Sequence, residues 1–347
     1  MPNLKTYFFD ASKDIENHRY TLSKSTISEQ REIAQAILDW HQNENFEFQT
    51  SGSTGIPKLI SFSKAQVEAS ISQSQKAFGL SSEDIALISL PMKYVAGKMM
   101  LFRSLKIGMD VYCIEPKVDI GNIIVKNISF AAFIPQQIES LLNKQDGKKW
   151  LESIRIILIG GGPISAKLEY SLKDFSNDIY HTYGMTETLT HVAIKELSKG
   201  GSEFFTPLPN VSISQSENDT IRISANHLGI TLESNDIVEI NADSSFKILG
   251  RIDNVINSGG IKIHPEEIEK VFKKFLNCDL VVLGMPDKTW GECVVLVVES
   301  EKVIDPEWIN LAKSELPKIK WPKVVKYIDR FPRTKSGKVQ RKLIELN

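Results

Sequence analysis

The chain has 347 residues, with 42 basic and 43 acidic side chains and an apolar fraction of 41%. That length buries one large core and accommodates two domains, and the balanced charge gives no compositional bias toward a polyanion such as nucleic acid. No run approaches the roughly 18 uninterrupted apolar residues of a membrane span. The start Met1-Pro2-Asn3-Leu4-Lys5 does not read as a signal peptide. Three scattered cysteines (Cys113, Cys278, Cys293) and six histidines form no metal-ligand pattern. The expectation is a reduced, cytoplasmic enzyme without a structural metal.

In chain order, Ile27–Trp40 reads as a helix with Ile33, Ile37 and Trp40 on one face. The strand-like Phe46-Glu47-Phe48 follows, then Thr50-Ser51-Gly52-Ser53-Thr54-Gly55-Ile56-Pro57-Lys58. Four hydroxyls, two glycines and a lysine in nine residues suit a polyphosphate: backbone N–H groups approach closely, hydroxyls donate without charge, and one cation balances it. The spacing is not that of the common P-loop. A Ser/Gly linker is the plain alternative, but strand-like runs flank the segment closely.

Short apolar runs then recur at Ile85–Leu90, Val111–Ile114, Phe130–Ile134 and Ile154–Ile159. Between them lie helical spacings. Val67, Ile71 and Phe78 line one face behind a candidate Ser63 cap, and Gln137-Ile138 with Leu141-Leu142 repeats the pattern. Such alternation predicts an α/β fold with mostly parallel sheets. Gly160-Gly161-Gly162-Pro163 closes one run, where a base or phosphate can approach backbone, although a plain strand-to-helix turn looks the same. Tyr183-Gly184-Met185-Thr186-Glu187-Thr188, after the strand Ile179–Thr182, supplies an aromatic face, a hydroxyl and a carboxylate; a helix cap with a solvated glutamate is the competing reading. Asp236, just before an apparent strand, is a candidate ribose partner or an ordinary turn aspartate.

The texture changes at Gly250-Arg251-Ile252-Asp253, so the expected division is residues 1–249 as a large domain and 250–347 as a small α+β domain. Its elements are a helix over Pro265–Phe275, strands at Leu280–Leu283 and Val294–Val298, and a helix near Pro306–Leu316. Arg333-Thr334-Lys335-Ser336-Gly337-Lys338 looks like a solvated basic tail, except that Ser-Gly marks a turn able to present Lys338.

Taken in order, these motifs resemble those of the adenylate-forming superfamily of acyl- and aryl-CoA synthetases, carrier-loading adenylation domains and luciferases. Thr50–Lys58 matches TSGSTGxPK, Tyr183–Glu187 matches YGxTE, Gly250–Asp253 matches GRxD, and Ser336–Lys338 matches the terminal SGK. The resemblance implies a large α/β domain and a small C-terminal domain joined by a hinge. It also implies two steps, with ATP, Mg²⁺ and CoA: a carboxylate attacks the α-phosphate, and a thiol then displaces AMP. On matching positions it assigns Thr50, Ser51, Gly52, Ser53, Thr54, Gly55 and Lys58 to the phosphates and Gly161, Gly162 and Tyr183 to adenine. Thr186 falls to the α-phosphate, Glu187 to Mg²⁺, Asp236 and Arg251 to ribose, and Lys338 to the attacking carboxylate. Asp253 matches the hinge, while Gly259, Gly260 and Lys262 match the CoA passage.

Within that superfamily the chain is most similar to compact o-succinylbenzoate–CoA ligases of menaquinone synthesis, through Leu90–Lys98, the acyl-pocket segment. Tyr94 stands where many relatives carry histidine, beside Gly97. An acid with two carboxylates needs a pocket cation besides Lys338, for which Lys98 and Arg103 are candidates; both snorkelling to solvent is the alternative. Two departures stand out: only 49 residues precede Thr50, and the ribose segment reads Ser-Asn-Asp instead of Thr-Gly-Asp. A ligase for another aryl or acyl acid and a non-catalytic nucleotide-binding remnant stay open, as does the oligomeric state.

Overall fold

The computed structural model describes residues 7–10, 15–50, 58–121, 125–276, 278–333 and 339–346. β1 (Tyr7–Asp10), α1 (Ile15–Ser23) and α2 (Ser28–Gln42) lead to β2 (Asn45–Gln49) and β3 (Leu59–Ser63). Next come α3 (Lys64–Phe78), β4 (Ile85–Ile88), α4 (Val95–Ile107), β5 (Asp110–Cys113), β6 (Phe130–Phe133), α5 (Pro135–Leu142) and α6 (Gly147–Glu152). β7 (Ile156–Ile159), α7 (Ala166–Leu172), β8 (Asp178–Gly184), β9 (His191–Glu196) and β10 (Thr206–Pro207) follow. The chain continues through β11 (Val211–Gln215), β12 (Thr220–Ala225), β13 (Ile230–Ile240) and β14 (Phe246–Arg251). It closes with β15 (Ile256–Ser258), β16 (Ile261–Ile263), α8 (Pro265–Phe275), β17 (Leu280–Asp287), β18 (Gly291–Glu299), α9 (Pro306–Ser314) and β19 (Val324–Ile328).

The expected alternation becomes an eight-stranded sheet of order β1-β5-β4-β6-β7-β8-β9-β10. β5, β4, β6, β7 and β8 are parallel, and β1, β9 and β10 run antiparallel at the two edges. All four residues of β7 are buried, as expected for a central parallel strand covered on both faces. Helix α3 starts where the sequence predicts: the Ser63 hydroxyl accepts from the Gln66 N–H, and the Gln66 side chain accepts from the Ser63 N–H. Its Val67, Ile71 and Phe78 are buried in one core with Ile33, Ile37 and Trp40 of α2.

The chain separates into two compact units, one of residues 1–164, 171–212 and 224–231, the other of 165–170, 213–223 and 232–347. This packing division differs from the expected one at 250–253, because that segment is lashed down within the second unit. Asn254 donates to Glu266 at 2.6 Å, and the Glu266 carboxylate crowds the α-carbon of Gly250. A hinge is a statement about motion and stays an expectation. A four-stranded sheet has order β11-β12-β13-β14, and the second unit holds a further one of order β16-β15-β18-β17, with β19 joined to β18. Its core gathers Ile268 and Phe272 of α8, Val282, Val294 and Leu296 of the strands, and Ile309 of α9.

Candidate active site

Three of the sequence motifs follow parallel strands of one sheet, at their carboxyl ends: Leu90–Gly97 after β4, Gly160–Gly162 after β7, and Met185–Thr188 after β8. In an open α/β sheet this edge is where ligands bind. The phosphate-loop segment joins them. β2 and β3 form a hairpin whose closing pair is Thr50 and Lys58: the Thr50 N–H donates to the Lys58 carbonyl and the Lys58 N–H to the Thr50 hydroxyl, both at 2.9 Å. Ser51, Gly52, Ser53, Thr54 and Gly55 lie outside the described residues, as does Lys338. Gln49, next to Thr50, bridges in parallel to Tyr94, so the acid segment stands beside the base of that hairpin.

Gly161 adopts φ +82°, a left-handed conformation natural to glycine, and a Cβ at Gly162 would meet nothing within 4 Å. The platform is therefore open to a planar ligand. His181 holds it from beneath: its Nε2–H donates to the Gly162 carbonyl at 3.1 Å, and its ring lies 5.1 Å from Phe205. Burial, then Lys195, pushes the His181 imidazole down to about 4, so it stays neutral with the proton on Nε2. Tyr183, one pleat further along the same strand face, meets Phe205 at 5.9 Å.

Thr186 and Glu187 occupy a single 3₁₀ turn, tied by the Met185 N–H donating to the Thr188 hydroxyl at 3.1 Å and by that hydroxyl donating to the Thr190 carbonyl at 2.8 Å. Thr186 is buried and Glu187 exposed. Glu187 makes no ion pair among the described residues, leaving a hard oxygen donor free for a cation. No group of three or more His, Cys, Asp or Glu able to hold a metal occurs among the described residues. Mg²⁺ fits such a place, since it takes one or two carboxylates and completes its shell with phosphate and water.

The acid segment folds tightly. The Tyr94 N–H donates to the Pro91 carbonyl at 3.2 Å, and that carbonyl sits 2.2 Å from where a Gly97 Cβ would be. The two candidate cations part company. Lys98 reaches the Glu47 carbonyl at 3.4 Å and lies 5.7 Å over the Phe48 ring. Arg103, only 2% exposed, turns inward, so snorkelling does not describe it. Its Nη2 donates to the Ser74 hydroxyl at 3.3 Å, its Nη1 faces Met100 Sδ at 3.4 Å, and its Nε has no partner. No carboxylate pairs with it among the described residues, and burial lowers it to about 10. His191 shares the Ser74 hydroxyl at 3.2 Å and is held down to about 3 by burial, then by Arg103.

In the second unit, Asp236 is not a turn residue ahead of a strand. It lies inside the eleven-residue β13 opposite Arg251, with a bulge just beyond it between Ile237 and Val238. Cross-strand pairing overrides the turn-prone Ser-Asn-Asp composition. Arg251 Nη1 donates to Asp236 at 3.0 Å and Nη2 to Asp253 at 3.1 Å, and Asn235 donates to Asp253 at 2.9 Å. The two residues expected to bind ribose and the expected hinge residue therefore form one cluster. Gly259 and Gly260 adopt φ +58° and +79°. The Trp290 ring packs over Gly259, leaving 2.7 Å to a built Cβ, while Gly260 is open. Lys262 lines a cavity of about 430 Å³ with His264, Ile252, Glu239 and Asp219.

The model of the AMP-binding enzyme family matches residues 45–222, and that of the AMP-binding enzyme C-terminal domain matches residues 278–338. The chain belongs to the AMP-binding enzyme family. Among curated relatives of this AMP-binding enzyme, the 2-succinylbenzoate–CoA ligase of Bacillus cytotoxicus is 28% identical, over 84% of this chain and 68% of its own length. The enzyme so named in Bacillus pumilus is 26% identical over 93% and 73%. Among solved structures, an acyl-CoA synthetase (AMP-forming)/AMP-acid ligase II-like protein from Dyadobacter fermentans is 28% identical with TM-score 0.65, covering 97% of this chain and 98% of that one. The O-succinylbenzoate coenzyme A synthetase of Bacillus subtilis in complex with AMP is 25% identical with TM-score 0.76, covering 86% and 68%.

Sequence reasoning missed four side chains of this AMP-binding enzyme: His181, which fixes the glycine platform, Ser74 and His191, which surround Arg103, and Trp290 over Gly259. Position carried a usable signal for the histidines, which stand two before Tyr183 and four after Glu187. Ser74 and Trp290 had none, because only the packing of α3 and of the β18 start brings them in.

Proposed function

We propose that this AMP-binding enzyme is a 2-succinylbenzoate–CoA ligase, joining the acid to CoA at the expense of ATP through an acyl-adenylate. The observation that carries the proposal is the match to curated 2-succinylbenzoate–CoA ligases over most of the chain. Among the described residues no helix is long and apolar enough to cross a membrane, and we place the enzyme in the cytoplasm, where ATP and CoA are available.

The chemistry asks little of a general base, because the carboxylic acid is already ionised at neutral pH. One carboxylate oxygen attacks the α-phosphorus, the bond to the bridging oxygen breaks, and pyrophosphate leaves with that electron pair. The barrier is the meeting of two anions, so placed cations and hydrogen-bond donors lower it. Thr50–Lys58 binds the outer phosphates, Gly161, Gly162 and Tyr183 hold adenine, and Thr186 donates to the α-phosphate. Asp236 and Arg251 bind the ribose hydroxyls. Glu187 would hold Mg²⁺, which would supply positive charge against the phosphates. Lys338 bridges the attacking carboxylate and the α-phosphate. Rotation at Asp253 then brings Gly259, Gly260 and Lys262 to the thioester step. The CoA sulfur, giving up its thiol proton to solvent, attacks the acyl carbon; the acyl C–O bond to the phosphate breaks and AMP leaves with that electron pair.

Tyr94, Gly97 and Lys98 shape the acid pocket, and Arg103 is its cation. A buried guanidinium without a carboxylate partner is costly to keep unless an anion visits it. The Arg103→Met enzyme is therefore expected to melt no lower than the parent. Its kcat/KM should fall about 10- to 100-fold on 2-succinylbenzoate and stay unchanged on any monocarboxylate it accepts. A parallel loss on both acids would remove Arg103 from the pocket.

The direct test is thioester formation from 2-succinylbenzoate, ATP, Mg²⁺ and CoA, beside benzoate, acetate, a medium-chain fatty acid and a coumarate. Selective turnover of 2-succinylbenzoate is expected and places the enzyme in menaquinone synthesis. Turnover of a different acid would keep the mechanism and discard the substrate, a reading favoured by the more general name of the Dyadobacter relative. ATP binding without pyrophosphate release on any acid would leave a nucleotide-binding remnant.

A further inference from the structure

We infer that His191 is a positioning residue for Arg103, holding its guanidinium through a hydroxyl that the two share on Ser74 and fixing it relative to the turn that carries Thr186 and Glu187. The inference rests on the acid-pocket role proposed above for Arg103.

All the groups involved lie within the first unit. Ser74, on α3, has one hydroxyl proton and two lone pairs, and the structure uses all three. Its hydroxyl donates to the Ser70 carbonyl at 3.1 Å, one helical turn back. Its oxygen meets Arg103 Nη2 at 3.3 Å and His191 Nε2 at 3.2 Å. A carbonyl only accepts, so the Ser74 proton is committed to Ser70 and both nitrogens donate to the oxygen. His191 therefore carries its proton on Nε2. Thr190 completes the assignment, since its hydroxyl lies 3.0 Å from the His191 Nδ1 and donates there. Phe78, one turn along α3 from Ser74, meets the imidazole edge-on at 5.5 Å between ring centres and packs the ring in place. Burial, then Arg103, keeps the imidazole neutral, so it orients the guanidinium without adding a second positive charge.

Arg103 needs such a holder. Its Nη1 faces only the Met100 sulfur at 3.4 Å, its guanidinium lies 5.6 Å over the Phe130 ring, and its Nε has no partner. Among the described residues the Ser74 hydroxyl is the one oxygen it binds. A long side chain tied at a single neutral oxygen swings easily. The His191 donor on the same oxygen stops that hydroxyl from turning and keeps a lone pair aimed at the guanidinium. The far side of the imidazole is tied to the turn, because the Thr190 carbonyl accepts from the Thr188 hydroxyl at 2.8 Å and that hydroxyl receives the Met185 N–H at 3.1 Å. A contiguous run of polar contacts thus reaches from the cation for the second carboxylate of the acid to the turn proposed to meet the α-phosphate. It sets how far the held carboxylate stands from the reacting one.

The test uses the full chain with 2-succinylbenzoate, ATP, Mg²⁺ and CoA. His191→Phe keeps a ring against Phe78 and donates nothing to Ser74. Its KM for 2-succinylbenzoate is expected to rise about 5- to 20-fold. Its KM for ATP should stay within about twofold of the parent, whereas a general loosening of the fold would raise both. His191→Gln, which restores a donor, should recover part of the loss. The double variant with Arg103→Met should be no worse than Arg103→Met alone, because a holder has no effect once its object is gone. If His191→Phe does not fold, Ser74→Ala, which removes the shared oxygen, carries the same expectation. A parental KM for the acid, an equal rise in both KM values, or additive losses in the double variant overturns the positioning role. Arg103→Met by itself separates this inference from the one beneath it. Parental kcat/KM in that variant defeats Arg103 as the pocket cation, whereas a fall there beside a parental His191→Phe defeats His191 alone. A parent enzyme that does not turn over 2-succinylbenzoate overturns both.

Discussion

Lys338→Ala is expected to slow acyl-adenylate formation about 10²- to 10³-fold and to leave thiolation of a supplied acyl-adenylate largely intact. The asymmetry follows from charge. In the first step an anionic carboxylate approaches a phosphate that is itself anionic, and a single ammonium between them offsets the repulsion as the new bond forms. In the second step the acyl group is already activated and AMP leaves as a stabilised anion, so the lysine has no comparable part. Pyrophosphate release under single turnover reads the first step, and thioester formation from synthetic acyl-adenylate and CoA reads the second. Equal loss in both would mean that the alanine variant had damaged the small domain instead of removing one cation.

Gly184→Ala is expected to destabilise the protein by about 1–3 kcal/mol and to cut adenylation by about 100-fold. Gly184 ends β8 opposite His191, where the register of β8 and β9 slips between Tyr183 and Gly184. A Cβ built there stands 2.1 Å from the Thr190 carbonyl oxygen and 2.7 Å from the His191 α-carbon. Both are backbone atoms and no rotamer change clears them, so the strands must part. The displaced Thr190 carbonyl is the one that the Thr188 hydroxyl uses to tie the 3₁₀ turn of Thr186 and Glu187. Stability and adenylation should thus fall together. Thermal melting beside pyrophosphate release checks both, with Gly162→Ala as the stability control because its Cβ meets nothing within 4 Å. A Gly184→Ala protein with parental melting would show that the turn has room the geometry denies.

The two variants draw on different kinds of knowledge. The role proposed for Lys338 comes from motif order, readable without coordinates. The cost at Gly184 comes from two backbone atoms of the neighbouring strand, which only become neighbours on folding. The same contrast runs through the molecule. The run Ile154–Ile159, which becomes β7 over Ile156–Ile159, was legible because a short, mostly apolar run ahead of glycines has few other uses, and α3 because Ser63 stands as a cap ahead of Val67, Ile71 and Phe78.

β11–β14 were harder to see. Along β13 the exposed Thr231, Glu233 and Asn235 alternate with the half-buried Ile230, Leu232, Ser234 and Asp236, and such alternation is easily read as loop when Ser, Asn and Asp dominate. Asp236 shows the consequence: local composition says turn, whereas pairing with Arg251 across the sheet makes it strand.

By itself the sequence determined the alternating α/β plan, the order of the phosphate, adenine and terminal-lysine motifs, and the family to which they belong. Those features are local in the chain, set by side-chain period, turn chemistry and spacing. Only the tertiary structure decided which of two similar cations on α4 turns inward, that His181 holds the glycine platform, and that Arg341 grips Glu269 seventy-two residues away. Burial and pairing between distant segments have no local signature, because they depend on which surfaces the folded chain brings together.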